Sequence, residues 1–182
     1  MSNKGLEILI EPQWALQGTK YSEAEFESDF DLDSVSAVFY VMSNVLYGNG
    51  VCFELRISGR EYKTLSAELV IFLEELLGLI EFTNRNEVSK HSLDFYEQGA
   101  NYSLKFEKAN DGLYVLEFID RSNPSELVKS EGLLLDLNFL LYTFYCRFIF
   151  LANKFCPEMS QNELYLEWKI NVSRMFKMEE SI

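Results

Sequence analysis

From Gly132 to Ala152 the chain runs through 21 residues in which only Asp136 and Arg147 are charged. An apolar stretch of that length either crosses a bilayer or forms a helix in a globular core. The two charges decide between these fates. They lie eleven residues apart, about three helical turns, and with Thr143 they mark a narrow polar stripe along one side of a helix. Each would cost about 2.5 to 3.5 kcal/mol at a bilayer centre, and no second candidate span accompanies this one. The segment therefore predicts a long buried helix within a water-soluble protein, with Asp136 and Arg147 satisfied by partners or water at one edge.

The rest of the chain can supply the core that such a helix needs. Hydrophobic residues make up 48% of the 182 positions, enough for one domain spanning 1–182 that buries about 70% of its unfolded surface. Leu6 to Glu11, ended by Pro12, reads as a first strand. Val35 to Tyr47, rich in Val, Phe and Tyr, reads as a strand turned by Gly48, Asn49 and Gly50 into Val51 to Ser58, where Val51, Phe53, Leu55 and Ile57 alternate with polar neighbours. From Leu65 to Phe82 the period changes, with Glu68, Glu74, Glu75, Gly78 and Glu81 gathered on about 140° of a helical wheel. That is an amphipathic helix, and Thr83 to Ser92 follows as a loop.

A second hairpin comes next, Tyr102 to Glu107 and Leu113 to Ile119 about a turn at Asn110, Asp111 and Gly112, with a short strand near Leu127. In the last stretch Leu164, Leu166, Trp168, Ile170 and Val172 alternate with polar residues, whereas a helix started by Ser160 and Glu163 would leave Leu166 and Ile170 on the wrong face. A strand over 163–174 is the preferred reading. The sum is an α+β domain: a mostly antiparallel sheet of about six to eight strands packed against one amphipathic helix and one long buried helix.

Charge supplies the functional lead. The chain holds 29 acids against 16 bases, a net charge of −13, which disfavours nucleic acid and anionic membranes and favours a basic partner. Between Tyr21 and Ser34 an acid occupies every second position: Glu23, Glu25, Glu27, Asp29, Asp31 and Asp33. If extended, these carboxylates form one row of roughly 33 Å, and Ala24, Phe26, Phe30 and Leu32 turn the other way. Three roles compete for such a row: a solvated edge that resists aggregation, a docking surface for a basic protein, and imitation of a nucleic acid backbone.

Catalytic chemistry finds little support. His91 is the only histidine, set in a polar loop without the partners of a serine or cysteine nucleophile, and it reads as a solvated surface residue. Gly48-Asn49-Gly50 precedes a strand, so it is a hairpin turn and not a phosphate-binding loop. Asp29, Asp31 and Asp33 imitate the start of a calcium-binding loop, but Ser34 stands where glycine is required and Tyr40 where a bidentate glutamate belongs. No cofactor or metal is implied. Cys52, Cys146 and Cys156 show no paired spacing and are expected as free thiols, and the amino-terminal residues carry no secretory pattern, so the cytoplasm is the expected location.

In size, acidity and lack of a catalytic motif the chain is similar to the immunity proteins that bacteria make against nuclease or other basic toxins. That resemblance implies a non-enzymatic protein that neutralises a toxin by stoichiometric binding. The acids from Glu23 to Asp33 would then form its electrostatic edge, with Tyr21, Phe26 and Phe30 as aromatic anchors. The alternatives are an enzyme of unfamiliar type that uses paired carboxylates or a weak metal site, and a structural or assembly module.

Overall fold

The computed structural model of the chain describes residues 5–12, 21–27, 31–64, 66–96, 101–110, 112–123 and 127–177. Among the described residues, seven strands and five helices run in the order β1 (Leu6–Pro12), α1 (Ala24–Glu27), α2 (Val35–Gly48), β2 (Val51–Ile57), β3 (Arg60–Lys63), α3 (Ser66–Asn84), β4 (Lys90–Phe95), β5 (Tyr102–Lys108), β6 (Leu113–Asp120), β7 (Leu127–Leu133), α4 (Leu134–Phe155) and α5 (Glu163–Lys177). A short 3-10 turn, Met159–Gln161, joins the last two helices. The α+β class holds, but the strands divide between two antiparallel sheets, β1-β2-β3 and β4-β5-β6-β7, where one sheet was expected. Rings join them: Tyr62 of β3 lies 4.2 Å from Phe118 of β6 and 6.4 Å from Tyr102 of β5, centroid to centroid.

The three-stranded sheet centres on β2, whose Val51, Phe53, Leu55 and Ile57 are buried as their alternation predicts. Its tight hairpin is the β2-β3 connection at Ser58-Gly59, both with positive φ, 52° and 80°. Positive φ at both central residues matches the strand twist, and glycine is the residue that adopts it without strain. The predicted hairpin at Gly48-Asn49-Gly50 is instead the carboxyl end of α2. Asn49 donates its backbone N–H to Val45 O at 3.0 Å, and Gly50, with φ 75°, ends the helix.

Val35 to Tyr47 was predicted as a strand and is helical. Ser34 accepts the Ala37 N–H at 3.2 Å as N-cap, and Val38, Phe39, Val41, Met42, Val45 and Leu46 are buried at helical spacing. The β-branched and aromatic content favours a strand only weakly, and packing along a 3.6-residue period overrides it. The same holds for α5, predicted as a strand: Tyr165, Trp168 and Val172 face the core at spacings of three and four, and the Asn162 side chain accepts the Leu164 N–H at 2.9 Å. Leu166 is half-buried and Ile170 exposed, the cost of helix formation that the alternation foretold.

Helix α3 and the β5-β6 hairpin match expectation. The expected loop from Thr83 to Ser92 is shorter, since α3 continues to Asn84 and β4 begins at Lys90. Helix α4 is where the long apolar run predicts it, but only one side is buried. Leu137, Leu141, Phe144, Phe148 and Leu151 enter the core, while Leu135, Phe139, Tyr142 and Phe150 face outward. Asp136 and Arg147 are exposed, which spares both the cost of desolvation. One apolar cluster draws buried residues from both sheets and from α2, α3, α4 and α5.

Candidate functional site

The first acids of the run, Glu23 and Glu25, do not lie in an extended row, because Ala24–Glu27 is a helical turn. Ser22 and Glu25 stand in the spacing of a capping box, and Glu25 Oε2 accepts the Ser22 N–H at 3.1 Å. The turn so started carries α1, with Phe26 N–H donating to Glu23 O at 2.9 Å. Period-two spacing cannot keep side chains on one face of a helical turn, so consecutive acids part company.

Glu23 goes inward. Its side chain is 5% exposed, and its carboxylate accepts the Met159 N–H at 2.7 Å and the Glu158 N–H at 3.1 Å. These are backbone donors of the turn between α4 and α5, which have no partner within a helix. A carboxylate accepting two amides is a charge-assisted clamp, and it fixes the 21–27 segment to the far end of the chain. Its negative charge adds to burial in pushing the neighbouring Cys156 thiol well above its usual range; burial is the larger cause. Buried Cys156 is therefore an inert thiol.

The other predicted site residues take different places. Asp31 and Asp33 are exposed immediately before the Ser34 cap of α2, where a helix amino terminus favours negative charge. Glu25 is exposed. Tyr21 is exposed along one side, with its ring against Gly48, where an added Cβ would fall 2.6 Å from Cδ2. Its backbone is gripped by Asn49, whose Nδ2 donates to Tyr21 O at 2.9 Å. Phe26 is half-buried against the core, 6.3 Å from the Tyr21 ring. The side chain of Glu27 and all of Asp29 and Phe30 lie outside the described residues.

The clamp also joins two segments that contain no base. The chain has no lysine, arginine or histidine from Tyr21 through Leu55, nor from Phe155 through Trp168. Through Glu23 these two base-free segments meet, so exposed Glu158 adjoins the turn that carries exposed Glu25, while Tyr21 packs on Gly48 at the carboxyl end of α2 and Asp31 and Asp33 precede its amino end. Burial of one acid of the ladder and the role of Glu158 are the parts that sequence reasoning missed. Ser22-x-x-Glu25 was the available signal for the turn; the contact across 135 residues had none.

Elsewhere the titratable groups have structural surroundings. His91, predicted to be solvated, lies on β4 with its ring against Gly78 of α3 and its side chain 14% exposed. Burial holds its pKa below the ordinary 6.5, opposed by the Glu75 carboxylate at 3.4 Å. A cleft of about 470 Å³ between β6, β7 and α4 is lined by Tyr114, Gly132, Asp136 and Phe139. Burial and the charge of Asp136 push the Tyr114 phenol up to about 12, so at neutral pH it can donate a hydrogen bond but not act as a base. Among the described residues no group of three or more His, Cys, Asp or Glu side chains is placed to hold a metal ion.

Comparison with known proteins assigns no family: no family model matches the sequence, no curated protein matches it significantly, and no solved structure matches the fold significantly.

Proposed function

We propose that the chain is a non-enzymatic binding protein that takes a basic protein as its partner, acting as an immunity or inhibitor protein acts when it neutralises a basic bacterial toxin by stoichiometric binding. The observation that carries this reading is the absence of any base from Tyr21 through Leu55 and from Phe155 through Trp168, segments in which Glu25, Asp31, Asp33 and Glu158 are exposed. Exposed like charges without bases among them stabilise no fold. They do steer a cationic partner, raising encounter rates by about 10 to 1000-fold at low salt. Tyr21, at the start of the first of these segments, supplies an exposed aromatic ring of the kind that carries binding energy.

The test begins with co-purification to find the partner and proceeds to association kinetics at two ionic strengths. Wild type is compared with a quadruple variant, Glu25→Gln, Glu27→Gln, Asp29→Asn and Asp31→Asn. Slower association and a shallower salt dependence in the variant support the proposal. An unchanged rate and salt slope refute it and leave these acids as a solvated surface.

A further inference from the structure

The outward side of α4 has the pattern of a surface made to meet its own copy. Leu135, Phe139, Tyr142 and Phe150 are 71%, 69%, 47% and 57% exposed, and Cys146 is exposed among them. At about 100° per residue these five fall on roughly 80° of the helix circumference, a continuous apolar stripe. Among the residues of α4 itself, charges border it on one flank, where Asp136, Arg147 and Lys154 follow Thr143 within roughly 40°, while on the other flank Tyr142 packs against Phe176 of α5. The Arg147 guanidinium lies 5.7 Å from the Phe150 ring, which keeps that charge beside the stripe.

Four of the five stripe residues pair about the midpoint between Tyr142 and Thr143. Leu135 and Phe150 are equally distant from it, as are Phe139 and Cys146. A two-fold axis through that midpoint, perpendicular to the helix, would lay two copies of α4 antiparallel, with Leu135 level with Phe150 of the second copy and Phe139 level with Cys146. This operation brings like flanks together, as an isologous interface requires. Asp136 then falls within about 3 Å, measured along the axis, of the level of Arg147 from the second copy, and the pair occurs twice. A parallel arrangement would put the charged flanks on opposite sides and form neither pair.

We infer that α4 is a self-association surface, through which two copies of the chain pair antiparallel across the Leu135, Phe139, Tyr142 and Phe150 stripe, with reciprocal Asp136–Arg147 ion pairs. The occupant is chosen by charge complementarity. The acid lies in the first half of the helix and the bases in the second, so the antiparallel copy matches them. Both macrodipoles are opposed as well. A single pair of helices covers less than the roughly 800 Å² per partner of a standard interface, so the expected dissociation constant lies in the micromolar range, about 1 to 100 μM.

Sedimentation equilibrium of the full chain across ~1 to 300 μM tests the inference. A monomer–dimer equilibrium is expected. Phe139→Glu, at an exposed position, should weaken it by more than about tenfold. Asp136→Arg and Arg147→Asp should each weaken it by about five- to tenfold, because each places like charges opposite one another. Together they should restore affinity to within about threefold of wild type. Circular dichroism of every variant should match wild type. The inference is overturned by a monomer throughout, by a dimer indifferent to Phe139→Glu, or by a double variant no tighter than either single one. Co-sedimentation of wild type with phosphatidylcholine vesicles that Phe139→Glu abolishes would also overturn it, since the stripe would then serve a lipid surface.

Discussion

The sheets and the 21–33 segment handle charge in opposite ways. Across the strands, acids stand opposite bases in register: Lys90 beside Glu107, Lys129 beside Glu117, and Arg56 between Glu7 and Glu61. The 21–33 segment contains no base, and its described acids either turn inward to backbone amides, as Glu23 does, or are exposed, as Glu25, Asp31 and Asp33 are. The difference teaches why the start of this alternating acidic run is a helical turn and not a strand. A strand is stabilised by its cross-strand pairs, and like charges directly opposite one another destabilise it. With Glu7 and Glu11 on the edge strand β1, a neighbour bearing a row of carboxylates would meet more of the same sign.

The sharpest way to break the comparison is to remove the inward acid. Glu23→Ala leaves the Glu158 and Met159 amides without their acceptor, one of them buried, and charge-assisted bonds of this kind are worth about 1.5 to 3 kcal/mol each. A loss of about 2 to 4 kcal/mol is expected in denaturant unfolding, with Glu23→Gln losing less because one amide oxygen still accepts. Hydrogen exchange at the Met159 amide should accelerate in both variants. Stability equal to wild type would show that Glu23 is no clamp.

His91 marks where pairing in the sheet gives way to burial. The ring rests on Gly78, and a Cβ there would lie 2.6 Å from Cε1. Gly78→Ala should therefore cost about 1 to 2 kcal/mol, the strain of displacing the ring exceeding the gain in helix propensity. The pH dependence follows from the lowered pKa. A histidine held below 6.5 by burial contributes stability that is complete above pH 6.5 and is lost as pH falls through the folded-state value. His91→Gln should make unfolding free energy fall less steeply below pH 6.5 than in wild type. An identical slope would mean that His91 titrates alike in both states.

What the residues disclosed in advance follows the same physics. Strands with clear alternation, such as Val51 to Ile57 and the β5-β6 pair, were legible from that pattern, and in the β5-β6 pair the turn residues agree with it, whereas the turn before Val51 was misassigned along with its partner strand. Helix α4 was legible in length, and its outward aromatic side was not, since apolar content alone does not say which face meets solvent. Helices α2 and α5 were misread for one reason: Val, Phe, Tyr and alternating apolar residues outweighed the caps at Ser34, Asn49-Gly50 and Asn162, though the caps were in plain view. Glu23 was beyond reach because its partners lie 135 residues away, and only the packing of α2 against the turn after α4 brings them together.

A smaller effect sharpens the sheet side of the comparison. Glu117 and Lys129 are register partners on β6 and β7, partly exposed and joined by a direct ion pair. A double-mutant cycle with Glu117→Ala and Lys129→Ala should give a coupling of about 0.2 to 1 kcal/mol at low salt, reduced in ~1 M salt by screening. A coupling near zero at both salt concentrations would make the pairing incidental to the stability of the sheet.

The smallest expected effect belongs to the outward acids, and its smallness is what distinguishes them from Glu23. Replacing Glu25, Glu27, Asp29 and Asp31 together by their amides removes four negative charges from a chain of net charge −13. Glu25 gives up its acceptance of the Ser22 N–H in charged form, a loss limited by exposure and by the amide oxygen that replaces it. Relief of repulsion among like charges works in the opposite direction. The two terms nearly cancel, and unfolding free energy should change by no more than about 0.5 kcal/mol, as for surface substitutions in general. The same variant is expected to slow association with a basic partner, so one substitution set separates recognition from folding. A loss above about 2 kcal/mol would place these acids with Glu23 as structural groups, and the contrast between inward and outward carboxylates would fail.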